Sequence, residues 1–70
     1  MSPLQHTILQ HLRAEGPVSF SSIRRHVARH FEADPQTWEI AAALTLLIRH
    51  GHAALYDDGT SFDWEEERNH

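Results

Sequence analysis

Apolar side chains recur at helical spacing through the first two thirds of the chain and alternate with polar ones in the last third. Leu4, Ile8, Leu9 and Leu12 make the first stripe, at the spacing of one face of a helix. Ser2, Pro3 and Gln5 stand where a hydroxyl cap, a first-turn proline and a capping-box amide belong, and Gly16-Pro17 stops the run. A first helix is therefore predicted between them.

Val18-Ser19-Phe20 reads as a short extended or turn segment. Ser19 or Ser21 can then cap a second helix with Phe20, Ile23, Val27 and Phe31 on its apolar side. The other side carries Arg25 and Arg29 one turn apart, with Arg24, His26 and His30 alongside. Asp34-Pro35 repeats the cap-and-proline signal and predicts a third helix running to Gly51, with Ile40, Leu44, Leu47 and Ile48 as its core stripe. Projection at 100° per residue puts Trp38, Ala42, Leu46 and Arg49 on the far side. A helix this apolar all round needs cover on two faces.

From His52 the period becomes two. Two alternating segments flank Asp58-Gly59, a residue pair favoured in type I′ hairpin turns, so a two-stranded hairpin is predicted. Its register pairs Leu55 with Phe62 and Ala53 with Trp64 on one face, which reads as hairpin core. Residues 65–70 are expected to form a frayed, acidic tail.

The expected fold class is thus α+β: three helices followed by a two-stranded hairpin, in a single domain spanning residues 1–70. The chain has 70 residues and no cysteine, so neither disulfides nor cysteine-bound zinc supplement a small core. No apolar stretch approaches the roughly 20 residues that cross a bilayer, and no basic-then-apolar leader precedes the first helix. A soluble, cytoplasmic protein without a membrane partner is expected.

The net charge of −4 hides an uneven distribution. Residues 1–33 hold four arginines against two glutamates, whereas residues 34–70 hold two arginines against eight acidic side chains. A polyanion is attracted to the first part and repelled by the second.

Three helices, an extended segment between the first two and a terminal hairpin resemble the winged helix-turn-helix superfamily. The resemblance is most specific over Ala43-Leu44-Thr45-Leu46-Leu47-Ile48-Arg49-His50-Gly51-His52-Ala53, where two leucines precede a glycine and the first wing strand. It implies DNA binding and transcription regulation, with the third helix in the major groove. The outward positions it implies on that helix are Trp38, Glu39, Ala42 and Ala43, none of them basic, and the wing turn offers Asp57-Asp58 where an Arg or Lys is usual. On this reading the DNA-contacting residues are Arg24, Arg25 and Arg29 of the second helix, Gln36 and Thr37 at the start of the third, and Arg49 near its end.

The alternative is a protein-interaction module. Trp38, Ala42 and Leu46 would receive a partner helix or a second copy of the chain, and the acidic wing would attract a basic surface. His26 and His30 have the spacing of a metal-sharing pair, as His50 and His52 form a second local pair, but without cysteine or a carboxylate placed beside either, no metal and no cofactor is expected. A pH-dependent surface is the stronger expectation for them. No nucleophile-base-orienter spacing and no glycine-rich phosphate loop occurs, so no enzymatic activity is expected.

Overall fold

The computed structural model describes residues 1–65. The elements run α1 (Pro3–Glu15), β1 (Val18–Ser19), α2 (Phe20–His30), α3 (Thr37–Arg49), β2 (Ala53–Leu55) and β3 (Ser61–Trp64). They form a small α+β domain with three helices and an antiparallel three-stranded sheet of order β1-β3-β2.

The first two helices begin as their sequences dictate. Ser2 Oγ accepts the Gln5 backbone N–H at 3.1 Å, and the Gln5 side-chain oxygen accepts the Ser2 N–H at 2.7 Å, which completes the capping box. Of the two serines that could cap α2 it is Ser19, whose Oγ accepts from the Ser22 N–H at 3.1 Å. The start of α3 differs from expectation. Gln36, not Asp34, is its N-cap, and its N–H donates to the Glu39 carboxylate at 2.7 Å. Asp34-Pro35 stays in the connection because Gln36 and Glu39, three residues apart, bracket the first turn and fix where winding begins.

Gly51 ends α3 with φ of 81°. Its N–H reaches the Ile48 carbonyl at 3.1 Å and that of His52 reaches Leu47 at 2.8 Å, the paired bonds of a Schellman stop. The left-handed backbone explains the glycine here, and the reversal sends the chain directly into β2.

The hairpin register is as expected, with Ala53 opposite Trp64 and Leu55 opposite Phe62. Its turn is not type I′, because that turn needs positive φ at both central residues and only Gly59, at 76°, has it. The Tyr56 N–H donates to Ser61 at 2.7 Å and the Gly59 N–H to Tyr56 at 2.9 Å, so Asp57–Thr60 form a four-residue loop. A two-residue and a four-residue loop centred on Asp58-Gly59 give the same pairing, which is why the register survives the change.

The predicted two-stranded sheet has a third strand. Val18 pairs with Phe62 and Ser19 with Ser61, which makes β3 the central strand. Two residues of β1 are too few to show alternation in sequence, yet they cover one edge of β3 and join the start of α2 to the hairpin.

The core is wholly apolar: Ile8, Leu9 and Leu12 from α1, Ile23 and Val27 from α2, Ile40, Ala43, Leu44 and Leu47 from α3, and Ala53 from β2. Leu4, Val18, Phe20, Phe31 and Phe62 pack on its margin. Full burial of a side chain such as Ile23 or Ile40 contributes about 1.5–3 kcal/mol. Two expectations for α3 change places: Ile48 is exposed and Ala43 is buried. The helix turns Ala43, Ile40, Leu44 and Leu47 inward, one continuous i, i+3, i+4, i+7 stripe, and Ile48 falls at its edge. Trp64 at the end of β3 and Leu55 at the end of β2, both expected in the hairpin core, are also exposed, so of that face only Ala53 and Phe62 meet the core.

Glu65, expected in the frayed tail, instead continues the ladder, its N–H donating to the His52 carbonyl at 2.9 Å. Residues 66–70 lie outside the described residues. Among the described residues, no helix is long and apolar enough to cross a membrane.

Candidate nucleic-acid interface

With no polar or charged residue buried among those described, the candidate chemistry lies on the surface. The α2 stripe that buries Ile23 and Val27 turns Arg24 and Arg25 outward. Past Phe31, which leaves the helix with extended backbone, the chain returns to begin α3 beside them. The result is an open cleft of about 430 Å³ lined by Arg24, Arg25, Ala28, Asp34, Pro35, Gln36 and Thr37.

Four of the six residues expected to contact DNA thus share one concave surface. Gln36 and Thr37 bring the start of α3 into its lining. There the Thr37 and Trp38 N–H groups occupy the first two helical positions, which have no carbonyl partner within a helix, and the helix dipole adds partial positive charge. Two guanidiniums and a helix start favour a phosphate, whose oxygens accept paired hydrogen bonds from each Arg. Asp34 opposes them from the same cleft. Glu39, which the resemblance placed outward, turns its carboxylate back onto Gln36 and is half-buried.

Arg29 and Arg49 stand elsewhere. Arg29 is among the charges that act on a histidine cluster between α1 and α2. Arg49 sits in the last turn of α3, about 18 Å along the axis from Thr37 at 1.5 Å per residue.

The side of α3 away from the core is exposed as expected at Trp38, Ala42, Leu46 and Arg49. Trp38 is 69% exposed and Leu46 41%. Leu46 lines a smaller groove of about 260 Å³ with Met1, Gln5, His50 and His52. At the wing, Asp57 and Asp58 are both exposed, but they differ in role. Asp58 accepts from the Thr60 N–H, the Ser61 N–H and the Ser61 hydroxyl at 2.8–2.9 Å, and these bonds hold its carboxyl below the ordinary carboxylate range.

The histidines combine in a way that sequence spacing does not reveal. His26 and His30 are neighbours on α2, and His11 of α1 stacks on His26, with ring centroids 4.2 Å apart and planes at 15°. His50 and His52 are not part of this cluster. Among the described residues, no group of three or more His, Cys, Asp or Glu is arranged to hold a metal ion.

Compared with known proteins, the chain matches no family model, no curated protein and no solved structure. The functional reading therefore rests on the geometry of its own surface.

Proposed function

We propose that this chain is a small DNA-binding domain of winged-helix type, a transcription regulator in kind, that grips the phosphate backbone with Arg24 and Arg25 while the start of α3 faces the duplex. The observation that carries the reading is the shared cleft, which Arg24 and Arg25 of α2 line together with Gln36 and Thr37 of the α3 N-terminus. Little on α3 reads bases, since Trp38 and Ala42 are apolar and Glu39 is engaged with Gln36. Binding is accordingly weak, salt-dependent and of low sequence selectivity.

The test is a titration of fluorescent duplexes of unrelated sequence at two salt concentrations. Arg24→Ala/Arg25→Ala weakens binding to every duplex and reduces the salt slope by about 2, one for each phosphate contact removed. Absence of binding by the wild type at low salt contradicts the proposal, as does unaltered binding by the double variant.

The exposure of Trp38 favours a second reading, a protein-interaction module in which Trp38, Ala42 and Leu46 meet a second copy of the chain. Sedimentation of the wild type and of Leu46→Glu separates the two. Self-association abolished by Leu46→Glu supports this reading, and a monomeric wild type at high concentration contradicts it.

A further inference from the structure

We propose that the stacked imidazoles of His11 and His26, with His30 tilted against His26, form a proton-sensitive seam between α1 and α2, closed while the His11 and His26 rings are neutral and loosened as they take up protons below neutral pH. This does not depend on the nucleic-acid reading.

The geometry is that of neutral rings in contact. His11 reaches across from α1 to lie nearly parallel over His26 of α2, and the ring of His30 lies 4.2 Å from that of His26 at 39°. His11 and His30 are each also held by a hydrogen bond. His11 Nε2 pairs with Ser22 Oγ at 3.0 Å, and His30 Nδ1 donates to the His26 carbonyl at 2.9 Å.

Protonating two members of the stack places like charges about 4 Å apart on a partly covered surface, where water screens them incompletely. The charged groups that act on the stack among the described residues are Glu15 of α1, which favours protonation, and Arg29 of α2, which opposes it. Burial is the largest influence on both His11 and His26 and lowers their affinity for protons below the ordinary 6.5; on His11 Glu15 comes next and opposes it, with Arg29 and His30 lowering further, whereas on His26 the rings of His11 and His30 and then Arg29 add to burial ahead of Glu15.

The sign follows from linkage. Each of these histidines binds a proton less readily in the folded chain than in the unfolded one, so the unfolded state takes up more protons as pH falls through 6.5. The stabilisation is present in full above 6.5 and is lost progressively below it, until the folded-state rings themselves titrate. Loosening the seam frees the helix that carries Arg24 and Arg25.

The experiment measures urea midpoints from about pH 7.5 to about pH 5.5, a window in which histidines titrate and most carboxylates do not. It compares the wild type, His26→Phe, which keeps an aromatic ring without a titrating group, and His6→Gln, which alters a histidine outside the stack. The wild type and His6→Gln lose stability as the pH falls, and His26→Phe loses clearly less. Histidine ring-proton titration by NMR on the wild type keeps the proposal testable should His26→Phe fold poorly, with His11 and His26 titrating below 6.5. Titration of both at or above 6.5, or parallel loss of stability in a folded His26→Phe and the wild type, overturns the seam.

Discussion

The Arg13 guanidinium lies over the ring of Trp64, 5.8 Å from its centroid, and ties the last turn of α1 to the end of β3. Arg13 thereby serves the hairpin, and it is not among the residues lining the Arg24 and Arg25 cleft. A cation over an indole at an exposed site contributes about 0.5–1 kcal/mol. Arg13→Ala is expected to lower stability by about that amount, and a double-mutant cycle with Trp64→Leu should recover it as coupling. Urea denaturation of the four proteins measures it.

The two leucines of the α3 ending should respond in opposite ways. Leu47 is buried, so Leu47→Ala removes core contacts at a cost of about 2–5 kcal/mol, a large share of the stability of a domain this small. Leu46 points outward, and Leu46→Glu is expected to shift stability by no more than about 0.5 kcal/mol. Circular dichroism during thermal unfolding separates the two, with the first variant losing its cooperative transition at a markedly lower temperature.

The recognition of α1 and of the hairpin pairing illustrates what was legible in the sequence. Ser2 and Gln5 act within one turn, and alternation on both sides of Asp58-Gly59 determines the pairing whatever the turn type. What was hidden depends on relative placement. Asp34-Pro35 satisfies the local rules for a helix start as well as Gln36 and Glu39 do, and it is the bond from the Gln36 N–H to the Glu39 carboxylate that fixes the start at Gln36. Whether Ala43 or Ile48 enters the core depends on a small rotation of α3 about its axis. The meeting of His11 with His26 and the gathering of Arg24, Arg25, Gln36 and Thr37 depend on how pairs of helices pack, which periodicity within one helix does not specify.

Asp57 and Asp58 look interchangeable in sequence, yet Asp58 organises the turn. Asp58→Asn is expected to weaken the hairpin, whereas Asp57→Asn removes the same charge from the wing with the Asp58 bonds intact. Amide hydrogen exchange at Tyr56 and Ser61 reads the difference, with faster exchange in the Asp58 variant alone. The carboxyl of Asp58 is held below its ordinary 3.8, so its contribution is complete above that pH and is lost as pH falls through the lower folded-state value. The wild type and Asp58→Asn should therefore converge in hairpin stability under strongly acid conditions.

If the acidic wing repels a polyanion, its charge tunes affinity through long-range electrostatics. Asp57→Asn should strengthen duplex binding at low salt and lose that advantage at high salt, where the field is screened. Binding isotherms at both salt concentrations give the answer, and an unchanged low-salt affinity would place the wing away from the nucleic acid.

The central claim is that Arg24, Arg25 and the start of α3 form one phosphate-contacting surface. The most direct measurement follows the backbone amide resonances of the labelled protein as a DNA duplex is added at low salt. The account predicts that the shifts concentrate at Arg24, Arg25, Gln36, Thr37 and Trp38 and disappear in Arg24→Ala/Arg25→Ala. Shifts confined to the Leu46 groove or the wing, or no shifts at all, would contradict it.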